Sequence, residues 1–343
     1  MFQVFEGQTA NGAWDKIATA FRTNIGLLTQ TSRFGPTREI LHAAISVSDP
    51  RQRWVVARNP PISIAFALAE VIWIMAGRND ATFLNYFNKV LPDYAGNGPT
   101  YHGAYGYRLR KRFNIDQMER AYQALTKNPD SRQIVLQIWD AMDDFPTTDG
   151  VPLAADIPCN IVSLLKVRGG ALEWMQIMRS NDIVRGLPYN FVQFTSMQEI
   201  LAGWLKINVG SYNHVSDSLH IYERDLNGME SEPQLNLTEN TDSLALPKHD
   251  FDLVLSELEQ DGNSIIDDNI AAESLLDTVR SCKLPPAYRN ILCVLSAEGA
   301  RKRKRPDLVG EIMELCTNPA YNQLWERWTS RFTGGKQENT DQV

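Results

Sequence analysis

The sequence predicts an α+β fold, and two sets of segments carry that expectation. Residues 134–139 (IVLQIW), 160–167 (NIVSLLKV) and 172–179 (LEWMQIMR) are short, β-branched or aromatic and partly alternating, with Gly169-Gly170 as a hairpin turn between the last two. Residues 62–77 (ISIAFALAEVIWIMAG) read as a largely buried helix closed by Gly77, and 189–206 (YNFVQFTSMQEILAGWLK) as a long helix after Pro188. Strands and helices fall in separate runs, which favours a sheet with flanking helices over alternating βαβ units.

Within those elements some residues are out of place for a core. Glu70 sits in the middle of the apolar run 62–77. A carboxylate buried there needs a reason, and burial should raise its pKa towards neutrality. Residues 97–111 (NGPTYHGAYGYRLRK) combine Gly, Pro, Tyr and His, the composition of a site-lining loop that feeds a short helix. A strand-like stretch ends in LHIY at 219–222.

After residue 226 the composition turns acidic and polar, and amphipathic helical segments follow around 251–260, 270–282 and 308–330. The expected organisation is a first domain over 1–225, a helical extension over 226–334 and a disordered tail over 335–343.

A chain of 343 residues, 43% hydrophobic, can bury a full core, and its net charge of -7 argues against binding nucleic acid through a global positive field. A small-molecule substrate is expected instead. The N-terminus shows no charged start followed by an apolar run and no window is long enough to span a bilayer, so a cytoplasmic location is expected. Cys159, Cys282, Cys293 and Cys316 are scattered without CxxC spacing, so neither disulfides nor a metal site are expected.

The most specific words lie between residues 159 and 222: IPCN, MRSNDIVRGLPYN and HIY, with Cys159 twenty residues before Arg179, followed by Ser180 and Asp182. In order and register these resemble the thymidylate synthase family, and weaker similarity continues through PDSRQ, AEVIW and SRFG over roughly residues 15–225. The resemblance implies transfer of a one-carbon unit from 5,10-methylenetetrahydrofolate to C5 of a pyrimidine nucleoside monophosphate. Such a ring accepts an electrophile at C5 only after a nucleophile has added at C6, and a thiolate suits that task. Cys159 is therefore the expected nucleophile, with Arg179 favouring its thiolate form.

The resemblance also distributes the remaining roles. Arg179, Ser180, Arg33 and Arg132 would bind the 5'-phosphate, Arg132 reaching in from a partner subunit to make a homodimer with shared sites. Asn190 would read the base edge, with a donor and an acceptor that suit uracil and hence dUMP. His220 and Tyr222 would hold the sugar, Glu70 would relay protons, Tyr105 would lie near C5, and Asp182 and Gly186 would face the folate.

Some positions depart from the family pattern. Gln133, Met178, Asn160 and Arg185 stand where arginine, glutamine, histidine and leucine are usual, and residues 85–98 lack the family's folate-packing tryptophans. The family's closing C-terminal tail is also not recognisable in 226–343. A wetter site favours water attack on the C5 methylene and a hydroxymethyl product over hydride transfer. Reductive methylation of dUMP to dTMP stays open beside it. So does a reading in which RKRKR at 301–305 marks an interaction or nucleic-acid-binding protein on a degenerate enzyme core.

Overall fold

The computed structural model describes residues 2–24, 26–32, 34–229 and 238–333. Arg33 and the expected tail at 335–343 lie outside the described residues. The strands are β1 (Gln3–Gly7), β2 (Leu28–Ser32), β3 (Gly35–Val47), β4 (Ile134–Gln137), β5 (Asn160–Arg168), β6 (Ala171–Asp182) and β7 (Asn208–Tyr222). The principal helices are α1 (Ala10–Thr23), α2 (Ile64–Met75), α3 (Gln117–Lys127), α4 (Leu187–Leu205), α5 (Lys248–Ile266), α6 (Ala272–Ser281), α7 (Pro286–Lys302), α8 (Pro306–Glu314) and α9 (Pro319–Thr333).

The strands form one mixed sheet in the order β1-β3-β7-β6-β5-β4, with β2 pairing β3 off that path. The β1/β3 and β6/β7 pairs are parallel and the others antiparallel. This is the expected α+β sheet with flanking helices. Gly169 and Gly170 take φ of 57° and 76°, the left-handed values that a tight hairpin between β5 and β6 demands.

Helix α4 lies on one sheet face and is buried along nearly its whole length, from Leu187 to Trp204. It starts two residues before the sequence pattern marks it, with Pro188 inside its first turn, where a missing N–H costs nothing. Helix α2 packs on α4, starts at Ser63, whose hydroxyl accepts from Phe66 N, and buries every residue fully except Glu70, which is half-buried. Gly106 seats the Tyr105 turn against α2: a Cβ there would stand 2.3 Å from the Ile74 carbonyl oxygen.

Helix α7, which the amphipathic pattern does not mark, also packs against α2. It is buried almost all round, so it shows no polar face to give it a period. The segment expected as one helix over 308–330 is two, α8 and α9, broken before Pro319 by Asn318, whose side chain accepts from Ala320 N at 3.0 Å.

Polar contacts tie the C-terminal helices to the sheet-bearing part. Arg53 pairs with Glu199 in the interior, and Glu199 Oε1 accepts from Ser243 Oγ and Leu244 N, both at 3.0 Å. Tyr288 Oη donates to Leu244 O at 2.6 Å. The arginines of the basic run at 301–305 are engaged within the C-terminal helices. Arg301 pairs with Glu298, Arg303 donates to the carbonyls of Ile265 and Asp267, and Arg305 pairs with Glu273 and Asp307. These internal partners remove the motive for reading the run as a nucleic-acid surface.

The other sheet face carries two cross-strand rows, Ala44-Val215-Ile177-Val162 and Asn213-Met175-Leu164-Val135. All eight side chains are half-buried or exposed.

Candidate active site

Beyond the N-terminal end of α4, the helix-bearing sheet face opens into a cavity of about 890 Å³. Strand periodicity explains its floor. Ser180 and Asp182 of β6 and Ser218, His220 and Tyr222 of β7 continue the face that is buried beneath α4 further along the same strands. Gly186 and Asn190 reach it from the first turns of α4, Glu70 from α2, Tyr105 from its short turn, and Cys159 from the residue before β5. The cavity thus brings together Cys159, Glu70, Asn190, Tyr105, Asp182, Arg179, Ser180, Gly186, His220 and Tyr222.

Cys159 is half-buried, whereas Cys293 and Cys316 are buried and their thiols are pushed up by burial to about 12 and about 11. Arg179 Nε and Nη2 donate to the carbonyls of Pro158 and Ile157 at 3.0 and 2.9 Å, which lays the guanidinium along the backbone leading to the thiol. Ser180 Oγ is 3.3 Å from His220 Nδ1.

Burial raises the Glu70 carboxyl from 4.5 to about 8, opposed by a hydrogen bond from Gln193. The Tyr105 hydroxyl is held well above 10, first by burial and then by the nearby Cys159 and Asp156. Tyr105 also stacks on Phe194 with ring centroids 6.0 Å apart.

Asp182 has a structural duty besides facing the cavity. Its Oδ1 accepts from the backbone N–H groups of Val184 and Arg185 at 2.7 and 2.8 Å, forming the turn into α4. Gly186 has no room for a side chain, since a Cβ would stand 2.4 Å from Asn181 Oδ1. Arg185 pairs with Asp225 and stands 5.4 Å from the Tyr222 ring centroid. Asn160 is fully buried, accepting from Gln176 Nε2, and Met178 is buried beside Asn181.

Arg132 is exposed just before β4 and does not line this cavity. Among the described residues, none after Tyr222 lines it. Among the lining residues that escaped the motif reading are Gln193, Asp156, Glu39 and Ser218. Gln193 stands three residues after Asn190, a helical spacing that places both on one face and is visible in the sequence. Asp156 accepts from Gly103 N at 2.9 Å, and Ser218 Oγ donates to Glu39 Oε2 at 2.5 Å. Both contacts depend on distant segments meeting.

Residues 40–260 match the thymidylate synthase family. The chain belongs to that family. It is 28% identical over 320 residues to a deoxyuridylate hydroxymethyltransferase of Bacillus phage SP01, covering 81% of this chain and 82% of that protein. A second deoxyuridylate hydroxymethyltransferase, of Pseudomonas phage M6, is 35% identical over 164 residues, 47% of this chain and 45% of the relative. A thymidylate synthase of Clostridium beijerinckii is 28% identical over 189 residues, 54% of this chain and 66% of the relative.

Thymidylate synthase family enzymes take the one-carbon unit from 5,10-methylenetetrahydrofolate, and the residues present fit that group. Trp73, Tyr94, Trp139 and Phe145 give the cavity flat apolar walls for a pterin and an aryl ring, and the Asp182 carboxylate adds a polar group to its lining. In the stretch 85–98, where the family's folate-packing tryptophans are absent, Leu91 and Tyr94 line the cavity.

Proposed function

We propose that this thymidylate synthase family member transfers a one-carbon unit to C5 of dUMP and releases the 5-hydroxymethyl nucleotide. The observation that carries the reading is the convergence of Cys159, Glu70, Asn190, Arg179, His220 and Tyr222, from separate elements, on one cavity. In this reading the Cys159 thiolate adds to C6, Arg179 and Ser180 hold the phosphate, and His220 and Tyr222 hold the sugar. Asn190 orients the base, and Glu70, protonated near neutral pH, passes protons at the base edge. The folate supplies the carbon at the formaldehyde oxidation level.

Hydroxymethylation over reductive methylation is supported by Leu91 and Tyr94 in place of shielding indoles, and by the two phage relatives named for that reaction. Trp73 and Trp139 favour the second reading, thymidylate synthesis, because an indole wall could still exclude water.

The functional assembly in this reading is a homodimer, with the open sheet face as its contact and Arg132 delivered to the partner's phosphate site. The largely apolar rows on that face, with Asn213 as their one polar member, support this. The division into a catalytic domain over 1–225 and a helical extension over 226–334 belongs to the same reading, and so does a cytoplasmic location. Mass spectrometry of the product from dUMP tests the reaction. A product one oxygen heavier than dTMP, without stoichiometric dihydrofolate, is expected; dTMP with dihydrofolate would replace this reading by thymidylate synthesis.

A further inference from the structure

In α4, Asn190 Nδ2 donates to Gln193 Oε1 at 3.1 Å, and Gln193 Nε2 donates to Glu70 Oε2 of α2 at 3.0 Å. The three side chains form one directed chain, and all three line the cavity. Amide oxygen and nitrogen are easily exchanged in isolation, so the direction of the chain rests on Glu70 Oε2 acting as the acceptor. With Oε2 accepting, a proton carried by the acid sits on Oε1. In this arrangement Gln193 turns its NH2 group to Glu70. Its carbonyl then faces Asn190, which can answer only with its own NH2 group.

The remaining atom is Asn190 Oδ1. It is buried, has no hydrogen-bond partner among the described residues, and belongs to a residue only 5% exposed at the cavity wall. A buried acceptor left unpaired costs roughly 1–3 kcal/mol until a ligand donor reaches it. The N3–H of uracil is such a donor. N3 of cytosine is an acceptor and would bring two lone pairs face to face.

We propose that Gln193 is a positioning residue that sets base preference, locking the Asn190 amide so that its carbonyl oxygen faces the cavity and selects uracil over cytosine. The inference rests on the reading of Asn190 as the base-orienting residue. Gln193 works through its neighbours and need not touch the nucleotide. A Gln at this helical position also lets Glu70 report to Asn190, so that the proton-relaying acid and the base reader hold one another in register.

Three full-length variants test it, with kcat/KM measured on dUMP and dCMP and folding checked by thermal melting. Gln193→Met removes both hydrogen bonds while keeping the side-chain length. The dUMP-to-dCMP ratio should fall on the order of tenfold or more, with dCMP turnover rising in absolute terms, because Asn190 is free to flip. Gln193→Glu still offers Asn190 an acceptor but sets a second carboxyl against Glu70. It should keep the wild-type ratio and lose kcat. A wild-type ratio in Gln193→Met, or equal losses on both substrates in both variants, would overturn the proposal. Asn190→Asp separates the two levels of argument: if it leaves base preference unchanged, Asn190 does not read the base and the underlying reading fails. If it shifts the preference while Gln193→Met does not, only the role of Gln193 fails.

Discussion

The backbone nitrogen of Arg179 donates to the carbonyl oxygen of Cys159 at 2.9 Å. With the two guanidinium bonds to Ile157 and Pro158, this makes the proposed nucleophile and the proposed phosphate-binding arginine one structural unit. Cys159→Ala and Cys159→Ser are expected to abolish turnover while dUMP binding, followed by calorimetry, stays within a few-fold of wild type. Near-normal turnover in either variant would remove the thiol from the mechanism. Arg179→Ala is expected to damage both binding and chemistry, because it loosens the segment that carries the thiol.

Glu70 gives a pH prediction whose sign is fixed. Its native pKa, about 8, lies above the unfolded value of 4.5, so the native state keeps a proton that the unfolded chain gives up. Its contribution is most favourable below 4.5 and is lost as pH rises to 8, at about 1.4 kcal/mol per unit of pKa difference as an upper bound. Glu70→Gln, neutral at every pH, should melt close to wild type at pH 5 and above it at pH 8, with turnover lost. Equal melting differences at both pH values would show that the carboxyl is not held neutral.

Shared sites can be tested by mixing. Arg132→Ala and Cys159→Ala protomers, each inactive alone, should regain activity when dissociated and reassociated together, because the mixed dimer has one intact site. No recovery in verified heterodimers, or a fully active monomer, would sink the shared-site arrangement.

The Arg53–Glu199 pair joins the sheet-bearing part to the segment entering α5. Removing one member leaves a charge buried and unpaired, so Arg53→Ala should destabilise by about 3–5 kcal/mol. Denaturant melts followed by tryptophan fluorescence measure this. A loss below about 1 kcal/mol would mean that water already reaches the pair.

Much of the candidate site was legible because its residues sit in short contiguous words whose placement is local. Cys159, Arg179, Asp182 and Asn190 are placed by strand alternation and by the first turn of α4, both of which follow from spacing. Glu70 stood out because a carboxylate in an apolar run contradicts its surroundings. Gln193 did not stand out, since a glutamine in a helix is unremarkable until its neighbour across the helix pair is known to be an acid. Asp156 and Glu39 were hidden for the same reason, their partners lying 53 and 179 residues away. Helix α7 was missed through uniform burial, and β3 because its residues alternate too loosely around His42, whose φ is 58°.

The position of α7 against α2 bears on how the chain matures during synthesis. Helix α2 leaves the ribosome early, carrying apolar side chains around nearly its whole circumference, yet one of the surfaces that covers it is made more than two hundred residues later. Until α7 emerges, the element that bears Glu70 has an exposed greasy flank, an invitation to chaperones and to aggregation. A ribosome stalled before residue 286 should therefore hold a nascent chain that is protease-sensitive around α2, whatever the state of its sheet. The late helices complete the interior that keeps the acid in place.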